Sequence, residues 1–132
     1  MMLRNMASVG AVHWFVDASN VIGSRPDGWW RDRVGATRRL IAAVEAWAAR
    51  EHARVTVVLD AGPPELARTG GDVDVVIAPR RGRDAADDEI ARLVADRANA
   101  RVVTSDAALA ERVRASGAQV EGAGGFRNRL AY

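Results

Sequence analysis

The sequence predicts an α/β fold, a parallel sheet with helices on both faces in three α/β/α layers. Two observations carry that prediction: short apolar runs alternate with longer amphipathic ones, and the apolar runs lack polar interruption. Strands covered on both faces lose the in-out alternation of a half-exposed sheet, so they read as continuous apolar segments. Residues 12–16, broken only by His13, form the first such strand. Residues 31–51 then place Val34, Leu40, Ile41, Val44, Trp47 and Ala48 on one helical face, with Arg38, Arg39, Glu45 and Arg50 mainly off it. Residues 55–59 are a second strand and 73–77 a third, linked by a turn or short helix at 63–68 in which Pro63 fits the first helical position. A helix over 85–98 groups Ala86, Ile90, Leu93 and Val94. A fourth strand follows at 101–104, then a helix over 106–116 that groups Leu109, Ala110 and Val113 and stops at Gly117. Residues 118–120 are a weaker fifth strand.

Strand, helix, strand, repeated, requires parallel strands with right-handed crossovers. The most economical strand order is 3-2-1-4-5, which opens a crevice at the carboxyl ends of the strands, between strands one and four. Residues 1–10, with Met1, Met2 and Met6 and no pattern, are expected to form a loose N-terminus, and 11–132 a single domain.

Composition removes several chemistries. The 132 residues contain no cysteine, which excludes a disulfide scaffold, a thiolate metal site and a cysteine nucleophile. All 19 basic residues are arginine, so lysine-dependent mechanisms, Schiff bases and P-loops among them, are excluded. His13 and His52 are too few and too far apart for a zinc site of the usual kind. The apolar run at 9–16 is too short to span a bilayer and lacks a cleavage pattern, so no membrane contact and a cytoplasmic location are expected.

The acids fall in a pattern. The first strand runs into Asp17, the second into Asp60, and the fourth through Thr104 and Ser105 into Asp106; the third leads through a loop to Asp84, Asp87 and Asp88 at a helix start. In the 3-2-1-4-5 order these collect at one carboxyl edge. Each has an ordinary explanation as a helix cap, first-turn acid or turn former, Asp84 and Asp106 especially. Their convergence does not, because two carboxylates ~4 Å apart repel by about 4 kcal/mol at an effective dielectric near 20. A divalent cation relieves that cost, and oxygen-only donors favour Mg²⁺ or Mn²⁺, ions suited to phosphate chemistry.

The segment Asp17-Ala18-Ser19-Asn20-Val21-Ile22-Gly23 resembles the D-x-x-N opening of NYN domains, especially the YacP-like group of the PIN-like nuclease superfamily. Ala86-Asp87-Asp88-Glu89-Ile90 resembles their ADD-x-I helix start, and Val103-Thr104-Ser105-Asp106 the TSD that ends their fourth strand. The three motifs occur in family order within residues 12–117. The resemblance implies a PIN-like fold and a metal-dependent endoribonuclease acting on single-stranded RNA. It matches Asp17, Asp87 or Asp88, and Asp106 to the family's metal-binding acids, Asn20 to the polar partner of the first strand, and Asp60 to the second-strand acid of the NYN pattern. Asp17, Asp60, Asp87, Asp88 and Asp106 are thus the candidate catalytic and metal-binding residues. Many PIN domains place a glutamate in a helix after the second strand, a place only Glu65 approximates here. Asp87 and Asp88, about 100° apart on a helix, both stay in the set.

Arg80, Arg81 and Arg83 precede the acidic helix start and are candidates to grip phosphate, with Asn20 and Ser105 as further substrate contacts. Arg127 and Arg129 read as surface charges, and His13 and Trp47 as core residues. The Trp29-Trp30 pair reads as a staple of its loop to the core, or as a stacking surface for an unpaired base. Other readings stay open: a non-catalytic RNA-binding module, or a toxin-like nuclease held by an antitoxin. Pairing of two copies of the chain is also open. A phosphotransfer receiver domain is disfavoured by the missing lysine.

Overall fold

The computed structural model describes residues 11–132; the expected loose N-terminus at 1–10 lies outside the described residues. Five strands, β1 (His13–Asp17), β2 (Arg54–Leu59), β3 (Val73–Ile77), β4 (Ala100–Val103) and β5 (Gln119–Glu121), form one sheet in the order β3-β2-β1-β4-β5. All four strand pairings are parallel. The sheet order is the one the sequence implies. The helices are α1 (Ala18–Ile22), α2 (Arg33–Glu51), α3 (Ala85–Val94), α4 (Ala107–Ala115) and α5 (Ala123–Leu130).

Successive side chains on β1 leave the sheet on opposite sides. Trp14 and Val16 join a core with residues of α1, α2 and α5, while Phe15 joins a second core with residues of α3 and α4. A strand with an apolar layer on each face needs apolar residues at every position, which is why its sequence shows no alternation. The α2 helix starts at Asp32, whose carboxylate accepts from the Gly35 amide at 2.9 Å. A Cβ on Gly35 would collide with that carboxylate, so glycine permits the cap. Leu40, Ile41, Val44, Trp47 and Ala48 face the core as expected, but Val34, one turn from the start, is 39% exposed and lines a surface cavity instead.

Two helices go beyond the sequence reading. The five residues of α1 continue directly from β1, too short a segment to show a period. The α5 helix closes the first core with Ala123, Phe126 and Leu130. Arg127, expected at the surface, is buried: it pairs with Asp27 at 2.6 Å and approaches the Val21 and Ile22 carbonyls at 3.3 and 3.4 Å. Arg25 binds the Tyr132 carbonyl and the Asn128 side chain, so the β1–α2 connection is fastened at two points to the C-terminal segment. Among the described residues no helix is long and apolar enough to cross a membrane.

His13 sits in the sheet as expected, its Nε2 2.8 Å from the Thr56 hydroxyl and its ring stacked 4.3 Å from Phe15. Burial, then the charges of Arg97 and Arg54, lower its pKa from 6.5 to about 4, against a small opposing pull from Asp74. A lowered folded value means that the unfolded chain takes up the proton first, so stability present above pH 6.5 is lost as pH falls towards 4. His13→Gln removes that dependence. The stability of wild type relative to the variant is expected to fall by ~1–2 kcal/mol between pH 7 and 4, after discounting for the half-exposed ring. Urea melts at the two pH values measure it.

Candidate functional site

The crevice lies where the chain reverses direction across the sheet, with β2 on one side of β1 and β4 on the other. Val16 pairs with Val103, so the next residues along the two strands, Asp17 and Thr104, meet at the carboxyl edge. The Thr104 hydroxyl donates to Asp17 Oδ2 at 2.9 Å, and the Ser19 hydroxyl lies 3.4 Å from Oδ1. Asp17 is only 1% exposed. Burial raises its carboxyl pKa, the hydrogen bonds from Thr104 and Ser19 partly offset that, and the charge of Asp106 adds to the rise.

Asp106 caps α4, accepting from the Leu109 amide at 3.0 Å, and its own amide donates to Thr104 Oγ1 at 3.1 Å. Thr104 therefore touches both acids, one through its hydroxyl proton and one through its oxygen. The TSD segment contains it, but a neutral side chain gave no reason to single it out. Asn20 accepts from the Ser105 amide at 3.0 Å, and Ser105 Oγ accepts from the Ala123 amide at 2.9 Å. Both groups are engaged in joining α1, the segment after β4, and α5 at the crevice. These bonds define a positioning role in addition to the substrate contact expected of them.

Asp87 and Asp88 divide. Asp88 pairs with Arg112 at 2.9 Å on the outer surface of α3 and α4. Asp87 shares the field of the crevice acids: burial, then the charges of Asp17, Asp106 and Asp84, push its carboxyl up to about 6, with Arg112 pulling the other way. Asp84 stands at the N-terminus of α3, where its side chain makes no capping bond. Asp60 is exposed after β2, its Oδ1 accepting from the Ala61 amide at 3.0 Å, and it lines a cavity beside α1. Glu65 is directed to Arg38 at 3.7 Å, on the exposed side of α2. Arg80, Arg81 and Arg83 are exposed in the loop before α3. Trp29 packs against the first core as a loop staple, and Trp30 remains 49% exposed.

Among the described residues no three acidic or histidine side chains form a ready-made ion-binding group. The donor chemistry of Asp17, Asp87 and Asp106 nonetheless fits a hard divalent cation, with oxygen-only ligands whose mutual repulsion one such charge would offset. That repulsion has a consequence for stability. The folded pKa of Asp87 exceeds its ordinary 3.8, so its contribution is full at low pH and is lost as pH rises through about 6. Asp87→Asn is expected to stabilise the metal-free protein at pH 7 by ~1 kcal/mol, discounted for partial exposure, with the gain vanishing near pH 4. Thermal melts in chelator at both pH values check it.

The YacP-like NYN domain model matches residues 14–131. Two solved structures of Rae1 (YacP) from Bacillus subtilis are similar to this chain. A point mutant superposes with a TM-score of 0.73 at 24% identity, covering 91% of this chain and 75% of that one. The other gives a TM-score of 0.70 at 23% identity, covering 89% and 72%. Comparison with curated protein sequences gives no match. With β1 through α5 taken in by the family model and the same fold in the Rae1 structures, the chain belongs to the YacP-like NYN domain family of the PIN-like nuclease superfamily.

Proposed function

We propose that the protein is a divalent-metal-dependent endoribonuclease that hydrolyses phosphodiester bonds of single-stranded RNA at the crevice between β1 and β4. The observation that carries this reading is the meeting of Asp17 and Asp106 about Thr104 at the carboxyl edge of the sheet, with Asp87 within reach of their charge. Structural carboxylates are normally paired with cations or spread over the surface, and like charges brought together by a fold mark a functional site. Asp17, Asp87 and Asp106 would hold Mg²⁺ or Mn²⁺, which supplies neutralising charge and a Lewis acid that activates water and stabilises charge on phosphate.

The chain's own residues set that site. Thr104 and Ser19 orient Asp17, and the Leu109 amide fixes Asp106 at the head of α4. Arg80, Arg81 and Arg83, exposed in the loop before α3, would hold RNA phosphates, a role their exposure supports. Asp88, tied to Arg112, and Asp60, at the neighbouring cavity, are not assigned to the ion. His13 stands at the opposite end of β1 from Asp17, with its Nε2 at the Thr56 hydroxyl, so attack by water is favoured over histidine-assisted transesterification.

Membership in the YacP-like NYN family supports RNA as the substrate. Labelled single-stranded RNA, duplex RNA and single-stranded DNA incubated with Mn²⁺ or with EDTA test the reading. The expected result is internal cleavage of single-stranded RNA with Mn²⁺ only, without 2′,3′-cyclic ends. Binding of RNA without cleavage under any divalent ion would instead indicate a non-catalytic module.

A further inference from the structure

We propose that the cavity beside the acidic crevice is a subsite for one unpaired nucleobase, and that Asp60 reads its edge with a preference for guanine. This rests on the nuclease reading for the identity of the polymer, though not for the pocket's own chemistry. The cavity, about 340 Å³, is lined by Ser19, Ile22, Trp29, Arg33, Leu59 and Asp60, among others. That is at the small end of ligand sites and large enough for a single base.

Three features favour a base. The lining combines aliphatic side chains with Trp29, over whose ring the Arg33 guanidinium lies at 5.2 Å, a composite π surface of the kind on which bases stack. Asp60 brings a carboxylate whose hydrogen bond among the described residues is the one it accepts from the adjacent Ala61 amide at Oδ1. A carboxylate accepts and never donates. Guanine alone presents two neighbouring N–H donors, N1–H and the 2-amino group, on one edge, whereas adenine and cytosine set one amino group beside an acceptor and uracil flanks its N–H with carbonyls. Ser19 lines the cavity and also approaches Asp17, so a base held there lies directly beside the acids at the scissile phosphate.

The pocket is also built in advance of any ligand. Trp29 packs against the core, and the connection that carries it is held by the Arg127–Asp27 pair and by the bonds from Arg25 to Tyr132 and Asn128. A fixed wall loses little entropy when a base arrives.

The test uses 5′-GMP, 5′-AMP, 5′-CMP and 5′-UMP in EDTA, where no cleavage occurs and the common phosphate leaves the base as the only variable. The indole N–H signal of Trp29, identified by its loss in Trp29→Phe, is followed by NMR. It is expected to shift saturably, with a dissociation constant for 5′-GMP at least about fivefold below that for 5′-UMP. Asp60→Asn is expected to abolish the advantage of guanine; Asp60 is exposed, so the variant folds. No response of Trp29 to any nucleotide at concentrations on the order of 10 mM, equal affinities for all four, or an unchanged preference in Asp60→Asn would overturn the proposal. Cleavage measured on the same preparation separates the two readings. A Trp29 response to 5′-GMP without RNA cleavage leaves the subsite standing and removes the nuclease, and cleavage without a Trp29 response does the reverse.

Discussion

Asp17→Asn is expected to lower the rate of RNA cleavage about 10²- to 10³-fold or more, while the metal-free protein melts no lower than wild type. The two halves of this result have one cause. Asp17 is buried, burial and the charge of Asp106 raise its carboxyl pKa, and the Thr104 and Ser19 hydroxyls offset that only in part. An amide is nearly the same shape, still accepts from Thr104 at its oxygen, and removes a charge that both burial and Asp106 oppose. The fold therefore loses a cost when the charge goes, and the site loses its most enclosed candidate ligand. Initial rates on labelled single-stranded RNA with Mn²⁺, paired with thermal melts in chelator, measure both. Wild-type rates in the variant would remove Asp17 from the chemistry. A large loss of stability would instead show that Asp17 serves the fold.

The largest effect on stability is expected at Phe126. Its side chain is fully buried, 5.5 Å from the Trp14 ring and 5.2 Å from the Trp47 ring, at the point where β1, α2 and α5 meet. Phe126→Ala leaves a cavity between two tryptophans that cannot collapse without moving the sheet or α2. A cost of ~3–5 kcal/mol follows, or a fall in melting temperature of about 10–20 °C for a domain of this size. Because the Ala123 amide in the first turn of α5 donates to Ser105 Oγ, crevice and C-terminal helix should loosen together. Hydrogen exchange of the Ala123 and Ser105 amides would show it. A variant that melts with wild type would mean that α5 does not close the core.

Phe126 also shows what local pattern conceals. Gly122, Gly124 and Gly125 precede it, and glycines at that density carry neither helix propensity nor an apolar stripe, so no helix was expected there. Tertiary packing makes it a helix. Arg127 was hidden for a related reason: its partner, Asp27, lies a hundred residues away, and no periodicity links the two. By contrast, β1, β2 and β4 were legible because they are buried on both faces and read as continuous apolar runs, and the alternation of strands with helices then gave the order of the sheet. The carboxyl-edge acids were legible because strand ends mark where the sheet stops.

The site itself was legible in kind and less so in detail. Asp87 and Asp88 are neighbours in sequence, but a helix turns them to different sides, one into the field of Asp17 and Asp106 and the other to Arg112. Asp60 ends its strand as Asp17 does, yet it opens onto the cavity lined by Trp29 and Arg33. Thr104, which bridges Asp17 and Asp106, carries no charge to announce itself. Position along the chain locates an edge; only the packing of α1, α3 and α4 decides which side chains share it.

The central claim is that Asp17, Asp87 and Asp106 together bind a divalent cation. Titration of Mn²⁺ into metal-free protein at pH 7, with free ion followed by its electron paramagnetic resonance signal, tests it most directly. Wild type is expected to deplete the free-ion signal saturably, and Asp17→Asn and Asp87→Asn to do so at least about tenfold more weakly, with Asp88→Asn unchanged. Equal depletion by all four proteins, or none by wild type, would contradict it.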